Sequence, residues 1–380
     1  MVEGRLRVAV METGGWGGIH YYAYALCNAL ADNPVEVVLL THEHYELRDR
    51  PHRFERVHLF RRENYLRTLF RLGRLLQRRR PAILHVQSLL APRKDVLLVV
   101  LCRLLGIRVV LTVHNILPHE LRPFEAGCYF LYYRLADALI LHSEQNRRIL
   151  LERIPDLDPG RLFAIPHGNY AHFRDLELGR AAARGQLGLS ADRRIALFFG
   201  AIRPYKGLDL LLAAIGPVRR ACREALFVVA GHVLVGERTA YEQQVAELGL
   251  GAEDVVLRFA YLSAAEAIAY VCACDLVVLP YRRIYQSGVL LWAYSFGRPV
   301  LATRVGSFPE SIEEGRTGWL VEEEDAVGLQ QALIRILQDP EGLERAGTYA
   351  RALADTRFGW EGIACQTLGV YAQIAGGAGG

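Results

Sequence analysis

The sequence predicts an α/β protein built as two doubly wound domains in tandem. Three observations carry this expectation. The chain has 380 residues, more than one hydrophobic core usually supports. Its apolar runs are short, rich in Val, Ile and Leu, and lack polar alternation, which is the pattern of parallel strands covered on both faces. These runs alternate with segments of helical period in two successive series.

The first series of strands reads "LRVAV", "VEVVLL", "RVHLF", "AILHV", "RVVLTV", "DALILHS" and "LFAIPHG". The second reads "RIALFFG", "ALFVVAG", "VVLRFAY", "DLVVLP", "RPVLAT" and "GWLVE". Between them lies a polar join over residues 172–194, and "FGWEGIACQTLGVYAQI" has the spacing of a last helix. The apolar run "VLLVVLCRLLGIRVVLTV" is broken by Arg103 and Arg108. A membrane-spanning helix needs about twenty apolar residues, so the run is read as a buried helix followed by a buried strand.

Composition narrows the class further. Apolar residues at 52% and charged residues at 23% fit a globular protein with large buried sheets. Seven cysteines show no metal-type spacing, and Cys272 and Cys274 read as core residues at a helix-to-strand junction. Reduced thiols, and no leader segment visible before the first strand, suggest an intracellular protein. Charge is uneven: residues 1–190 carry a net +8 and residues 191–380 a net −4. The first half is therefore expected to face something anionic.

In doubly wound folds, ligands bind outside the carboxyl ends of the strands. Five stretches stand there or carry unusual charge. After the first strand come Gly14, Gly15, Gly17 and Gly18, which permit positive φ and let backbone N–H groups approach an anion at a helix start. The same pattern also makes a plain strand-to-helix turn. After "RIALFFG" come Arg203 and Lys206, one of only two lysines beside 43 arginines. A planar guanidinium fork and a compact ammonium suit a diphosphate. After "DLVVLP", Ser287, Gly288 and Val289 open an apolar helix, where unpaired N–H groups suit a phosphate and Ser287 suits an N-cap. "LTVHNILPHE" delivers His114, His119 and Glu120 from a strand end; its spacing is not that of a metal site. Finally, residues 61–80 hold eight arginines and one glutamate on a helical pattern. That segment either flanks the sheet with a basic outer face or lies on an anionic membrane. No nucleic-acid-binding fold accompanies the charge.

Taken in order, "GGWGGIHYYAYAL", "PAILHVQS", "LTVHNILPHE", "ALILHSE", "AIPHGN", "FGAIRPYKGLDLLL", "VVAGH" and "FGRPVLATRVGSFPE" resemble the nucleotide-sugar glycosyltransferases of the GT-B fold, most like glycosyltransferase family four in its bacterial exopolysaccharide-type branch. The resemblance covers nearly the whole chain. It implies two Rossmann-like domains facing across a cleft: an acceptor domain over 1–177, a donor domain over 186–355, and a helix over 356–375 crossing back to the first.

The resemblance also implies roles. Arg203 and Lys206 would grip the donor diphosphate, with Ser287, Gly288 and Val289 at the phosphate-binding helix start and His232 and Tyr261 in loops lining the nucleotide. His114 would be the active-site histidine, and Gly14 to Gly18 would face donor phosphates or acceptor. In place of the family's pair of glutamates stand Ile284 and Trp292, so donor binding differs there, and both retention and inversion stay open. An inverting course needs a base, for which Glu120 or His119 is the candidate and Glu12 the reserve.

The expected activity is transfer of a hexose from a nucleoside-diphosphate sugar to a lipid-linked or polysaccharide acceptor. It would need no metal or cofactor and act in the cytoplasm, peripherally at the inner face of the membrane. Transfer to a small soluble acceptor, or nucleotide-sugar binding without catalysis, are the alternatives.

Overall fold

The computed structural model describes residues 5–61, 64–91, 93–118 and 125–376. The chain divides into two units: one runs up to Gly168 and resumes at Phe358, and the other is Asn169–Arg357.

The first unit contains β1 (Leu6–Met11), α1 (Gly17–Ala31), β2 (Val35–His42), β3 (Glu55–Phe60), α2 (Tyr65–Arg79), β4 (Ile83–Val86), α3 (Val96–Leu104), β5 (Arg108–Thr112), α4 (Glu125–Leu135), β6 (Ala138–Leu141), α5 (Glu144–Arg153) and β7 (Leu162–Ala164). Its sheet is parallel, in the order β3-β2-β1-β4-β5-β6-β7. The order reverses between β1 and β4, which opens a crevice at their carboxyl ends. Strands β4 and β6 are buried at every position, as apolar runs without alternation require.

The second unit contains α6 (Arg180–Leu187), β8 (Arg194–Phe199), α7 (Leu208–Ala221), β9 (Ala225–Ala230), α8 (Arg238–Glu247), β10 (Val255–Arg258), α9 (Ala264–Ala273), β11 (Leu276–Leu279), α10 (Gly288–Ser295), β12 (Val300–Thr303), α11 (Phe308–Ser311), β13 (Gly318–Val321), α12 (Ala326–Leu337) and α13 (Pro340–Thr356). Its parallel sheet runs β10-β9-β8-β11-β12-β13, with the switch between β8 and β11. The final helix α14 (Trp360–Gly376) is grouped with the first unit.

The first unit stops at Gly168, short of the expected 177. Residues 169–177 belong to the second unit because their side chains and backbone bond there. The Tyr170 N–H donates to Ser295 Oγ at 2.8 Å, and Phe173 stacks on Trp292 with ring centres 5.4 Å apart.

Helix α2 turns Thr68, Leu72 and Leu76 inward. Leu66 and Phe70, read from the sequence as sharing one helical face with Leu72 and Leu76, are instead 62% and 64% exposed, because at 3.6 residues per turn they point away from Leu72, toward the arginines. Helix α3 is likewise not wholly buried: Leu97, Val100 and Leu104 face outward.

Candidate active site

The second unit gathers its polar groups at the carboxyl ends of β8, β9 and β11. After β8 the chain passes Gly200 and enters a 3₁₀ turn, Pro204–Lys206. Gly207 then takes φ +67°, and a Cβ there would overlap the Pro280 carbonyl. Only glycine fits both conditions. The loop after β9 is zipped to this one: the Ile202 N–H donates to the His232 carbonyl at 2.8 Å and the Leu234 N–H to the Ile202 carbonyl at 2.9 Å. The loop after β11 is tied in by the Arg282 N–H, which donates to the Tyr205 carbonyl at 2.8 Å.

Lys206 lies at the centre of this junction. It is 8% exposed, and its Nζ stands 5.3 Å from the centre of the buried Tyr281 ring. A Cβ on Gly200 would come within 3.4 Å of that Nζ and within 3.2 Å of Val289 Cγ2, so the lysine and the start of α10 meet over one glycine. Burial, and then the neighbouring Arg203 charge, push the lysine down to about 8. Among the described residues no carboxylate pairs with it. A buried cation with no counter-charge is expensive, and an anionic ligand relieves that cost.

Ser287 is buried at the N-cap of α10, yet its side chain makes no capping hydrogen bond. The N–H groups of Ser287, Gly288 and Val289 are at the positive end of that helix. His232 and Tyr261 lie together, rings 5.9 Å apart, beside the same loops.

The positions of the absent glutamates are filled structurally. Trp292 stacks face to face on Tyr170 at 4.5 Å, on Phe173 at 5.4 Å and on Phe296 at 5.8 Å. Ile284 sits in the loop, its carbonyl against Gly306.

In the first unit, the glycine loop differs from a phosphate cradle. Glu12, at the end of β1, is 1% exposed. It accepts from the N–H groups of Gly14 and Gly15, from Thr41 Oγ1 at 3.1 Å, and faces His20 Nδ1 at 3.2 Å. The Gly17 N–H donates to Glu46 at 3.3 Å. Three loop donors are thus spent on this chain's own carboxylates, which repel an anion. Gly14 and Gly15 hold the loop to Glu12 and Gly17 holds it to Glu46, so that Glu12 is buried with Gly14, Gly15, His20 and Thr41 as hydrogen-bond partners.

His114 follows β5 and is half-buried. Its Nε2 lies 3.1 Å from Gln87 Oε1 and its Nδ1 3.1 Å from His142 Nε2. Burial, followed by the neighbouring imidazoles, holds it well below the ordinary histidine range. His119 and Glu120 lie outside the described residues. Arg282, Gln87, His142 and Tyr22 escape the sequence reading. The usable signal was positional for Gln87, His142 and Arg282, each of which follows a strand end, whereas Tyr22 lies inside α1. Among the described residues no group of His, Cys, Asp and Glu converges as a metal site.

This geometry, two parallel-sheet units with cations and a helix start at strand ends, is that of the GT-B glycosyltransferases. The family models agree. Residues 193–339 match "Glycosyl transferases group 1" and residues 16–169 match "Glycosyltransferase Family 4". The chain belongs to the GT-B glycosyltransferases, in the family-four group. A D-inositol 3-phosphate glycosyltransferase of Streptomyces scabiei is 34% identical over 245 residues, 63% of this chain and 54% of that one. One from Kineococcus radiotolerans is 32% identical over 250 residues, 62% and 57% of the two chains. The chain spans about half the length of the curated relatives it matches. By fold it is similar to sucrose-phosphate synthase of Thermosynechococcus elongatus, with TM-score 0.77, 23% identity and 98% and 100% of the two chains covered. It is also similar to Anabaena HepE solved with UDP-glucose, with TM-score 0.79, 18% identity and 97% and 99% covered.

Proposed function

We propose that this protein transfers a hexose from a nucleoside-diphosphate sugar to an acceptor hydroxyl, with the second unit holding the donor and the first unit the acceptor. The observation that carries the reading is Lys206: a buried, uncompensated cation where three strand-end loops and the start of α10 converge. In the transfer the acceptor oxygen bonds to the anomeric carbon, the bond from that carbon to the phosphate oxygen breaks, and the hydroxyl proton passes to a base. The electron pair leaves on the nucleoside diphosphate. Arg203, Lys206 and the N–H groups at Ser287, Gly288 and Val289 stabilise the charge that gathers there. These groups do the work a metal does elsewhere, so the reading requires none. The base is His119 or Glu120 for an inverting course and the leaving phosphate itself for a retaining one.

The UDP-glucose complex of Anabaena HepE supports a nucleotide-sugar donor. The outward face of α2 supports a lipid-linked or membrane-bound polysaccharide acceptor. It carries Arg67, Arg74 and Arg78 beside Leu66 and Phe70, with no acidic residue in the helix. Among the described residues no helix is long and apolar enough to cross a membrane, so the proposed attachment is peripheral, at the inner face. A second reading, transfer to a small soluble acceptor, is favoured by the inositol phosphate glycosyltransferases among the relatives.

The test is calorimetric titration with UDP, GDP and ADP, paired with separate assays of donor hydrolysis and transfer. Binding of one nucleotide that Lys206→Met abolishes supports the site. Binding with neither hydrolysis nor transfer marks a non-catalytic nucleotide-sugar binder. No binding to any of the three overturns the reading.

A further inference from the structure

Four neighbouring parallel strands of the first unit hand a polar side chain to their carboxyl ends: Gln87 after β4, His114 after β5, His142 after β6 and His167 after β7. Three of these side chains form one hydrogen-bonded line. It begins at the Ile165 carbonyl, 3.2 Å from His142 Nδ1. It continues from His142 Nε2 to His114 Nδ1 at 3.1 Å, and from His114 Nε2 to the Gln87 amide at 3.1 Å.

The line has three links and needs one hydrogen in each. A carbonyl has none to give, so His142 must carry its proton on Nδ1. A neutral His142 then offers only a lone pair at Nε2, and His114 must donate to it from Nδ1. A neutral His114 in turn has only a lone pair at Nε2. The last link therefore needs Gln87 to donate through its NH2, with the amide turned so that nitrogen, not oxygen, faces the ring. That turn also gives a partner to the Gln87 nitrogen, which is otherwise buried without one.

Neutrality of both rings follows from their surroundings. The groups facing them are Tyr22 of α1, His167 after β7 and His85 of β4, and none is a carboxylate. Burial holds His142 down to about 4 and His114 well below its ordinary range. The line ends at a main-chain carbonyl, which passes no proton onward. It orients; it does not conduct.

We propose that His142 is a positioning residue that locks His114 with its proton on Nδ1 and a lone pair on Nε2, so that His114 meets a substrate hydroxyl as a hydrogen-bond acceptor in place of the Gln87 amide. The inference rests on the reading of His114 as the active-site histidine. Free imidazole slightly favours the opposite tautomer, so the lock is a property of the fold.

Long-range proton–nitrogen correlation spectra of the full chain labelled with ¹⁵N-histidine read the tautomer without reference to activity. The expected wild-type result is a neutral His114 protonated on Nδ1. His142→Phe keeps the ring volume, removes the acceptor, and should move the proton to Nε2 with at least a tenfold loss of kcat at little change in donor KM. His142→Gln returns an acceptor oxygen and should restore both the tautomer and most of the activity. A wild-type His114 that is charged, or protonated on Nε2, overturns the proposal, as does a His142→Phe spectrum with the tautomer unmoved. Equal activity in His142→Phe and wild type also overturns the positioning role. Failure of nucleotide binding at Lys206 would overturn the proposed function instead, and would leave the tautomer result standing.

Discussion

The ammonium of Lys206 sits 5.3 Å from the centre of the Tyr281 ring, and no carboxylate among the described residues answers its charge. The fold thus carries a cost when empty. Burial lowers this lysine from 10.5 to about 8, which at about 1.4 kcal/mol per unit corresponds to roughly 3 kcal/mol against the charged form. In the unfolded chain the proton stays on until about pH 10.5, whereas the folded chain releases it above about pH 8. The unfolded state therefore binds more protons between those values, and stability rises with pH across that window. Below pH 8 the penalty is present in full. Lys206→Met should stabilise the ligand-free protein at pH 7 by up to about 3 kcal/mol while weakening nucleoside-diphosphate binding by about a hundredfold. Thermal denaturation with and without nucleotide checks both. Wild-type affinity should fall as the pH rises through about 8; a flat profile would remove Lys206 from the site.

Arg282 is expected to act through Lys206. Its guanidinium forks onto Asp209 at 2.8 and 2.7 Å, reaches Glu324 at 2.6 Å and donates to the Pro204 carbonyl at 3.0 Å. It therefore pins the 3₁₀ turn that carries Lys206 to the first turn of α7. Arg282→Ala should raise donor KM about tenfold, because the turn is no longer held, with a stability loss of about 1–2 kcal/mol. A double-mutant cycle with Asp209→Asn should show strong coupling, since each variant breaks the same fork. Additive effects on KM would separate Arg282 from the lysine.

The inner strands were legible because a parallel strand buried on both faces writes that fact as a continuous apolar run; "AILHV" became β4 and "DLVVLP" became β11. The edge strand β3 keeps exposed positions and was legible only from its place in the alternation with helices. That Lys206 and Ser287 fall in the turns after β8 and β11 was legible for a related reason, since each run marks where its loop begins. What stayed hidden is what depends on side-chain direction. Nothing in "VAVMETGG" states that Glu12 folds back onto the glycine N–H groups. Nothing in "ALILHSE" states that His142 reaches across to His114. Leu66 and Phe70 of α2 stand outside its covered arc, and the packing of the neighbouring elements, which the sequence does not state, decides where that arc ends.

Trp292 is expected to resist replacement by the glutamate that the family resemblance implies at its position. It is 6% exposed and stacked among Tyr170, Phe173 and Phe296. Trp292→Glu removes those contacts, at about 3–5 kcal/mol for a large aromatic residue, and leaves a carboxyl with no partner in an apolar stack. The expected result is a melting temperature lower by roughly 10 °C with no gain in transfer. A variant that is as stable as wild type and more active would show that the stack is dispensable and that the glutamate contact is available to this chain.

The outward face of α2 should bind an anionic bilayer. Arg67, Arg74 and Arg78 are exposed there, whereas Arg79 is already bonded to Glu55 at 2.6 Å through both its terminal nitrogens. The useful variant therefore changes the first three to Glu and leaves Arg79 in place. Each arginine near an anionic surface is worth about 1 kcal/mol, so removing three attractions and adding three repulsions should cut partitioning onto phosphatidylglycerol vesicles by at least a hundredfold. The apolar part is separable. Leu66 and Phe70 stand beside those arginines on α2, and Leu104 of the next helix is 81% exposed. Helices α2 and α3 meet where a Cβ on Gly73 would come within 3.2 Å of Leu101. Phe70→Ser with Leu104→Ser should weaken binding at high salt more than at low salt, because salt screens the arginines and leaves apolar insertion as the remaining attraction. Nucleotide binding should be unchanged in both variants, since none of these residues lies in the second unit. Flotation of the Arg→Glu variant equal to wild type would make the basic face a solvated flank of the sheet, and would move the acceptor reading toward a small soluble molecule.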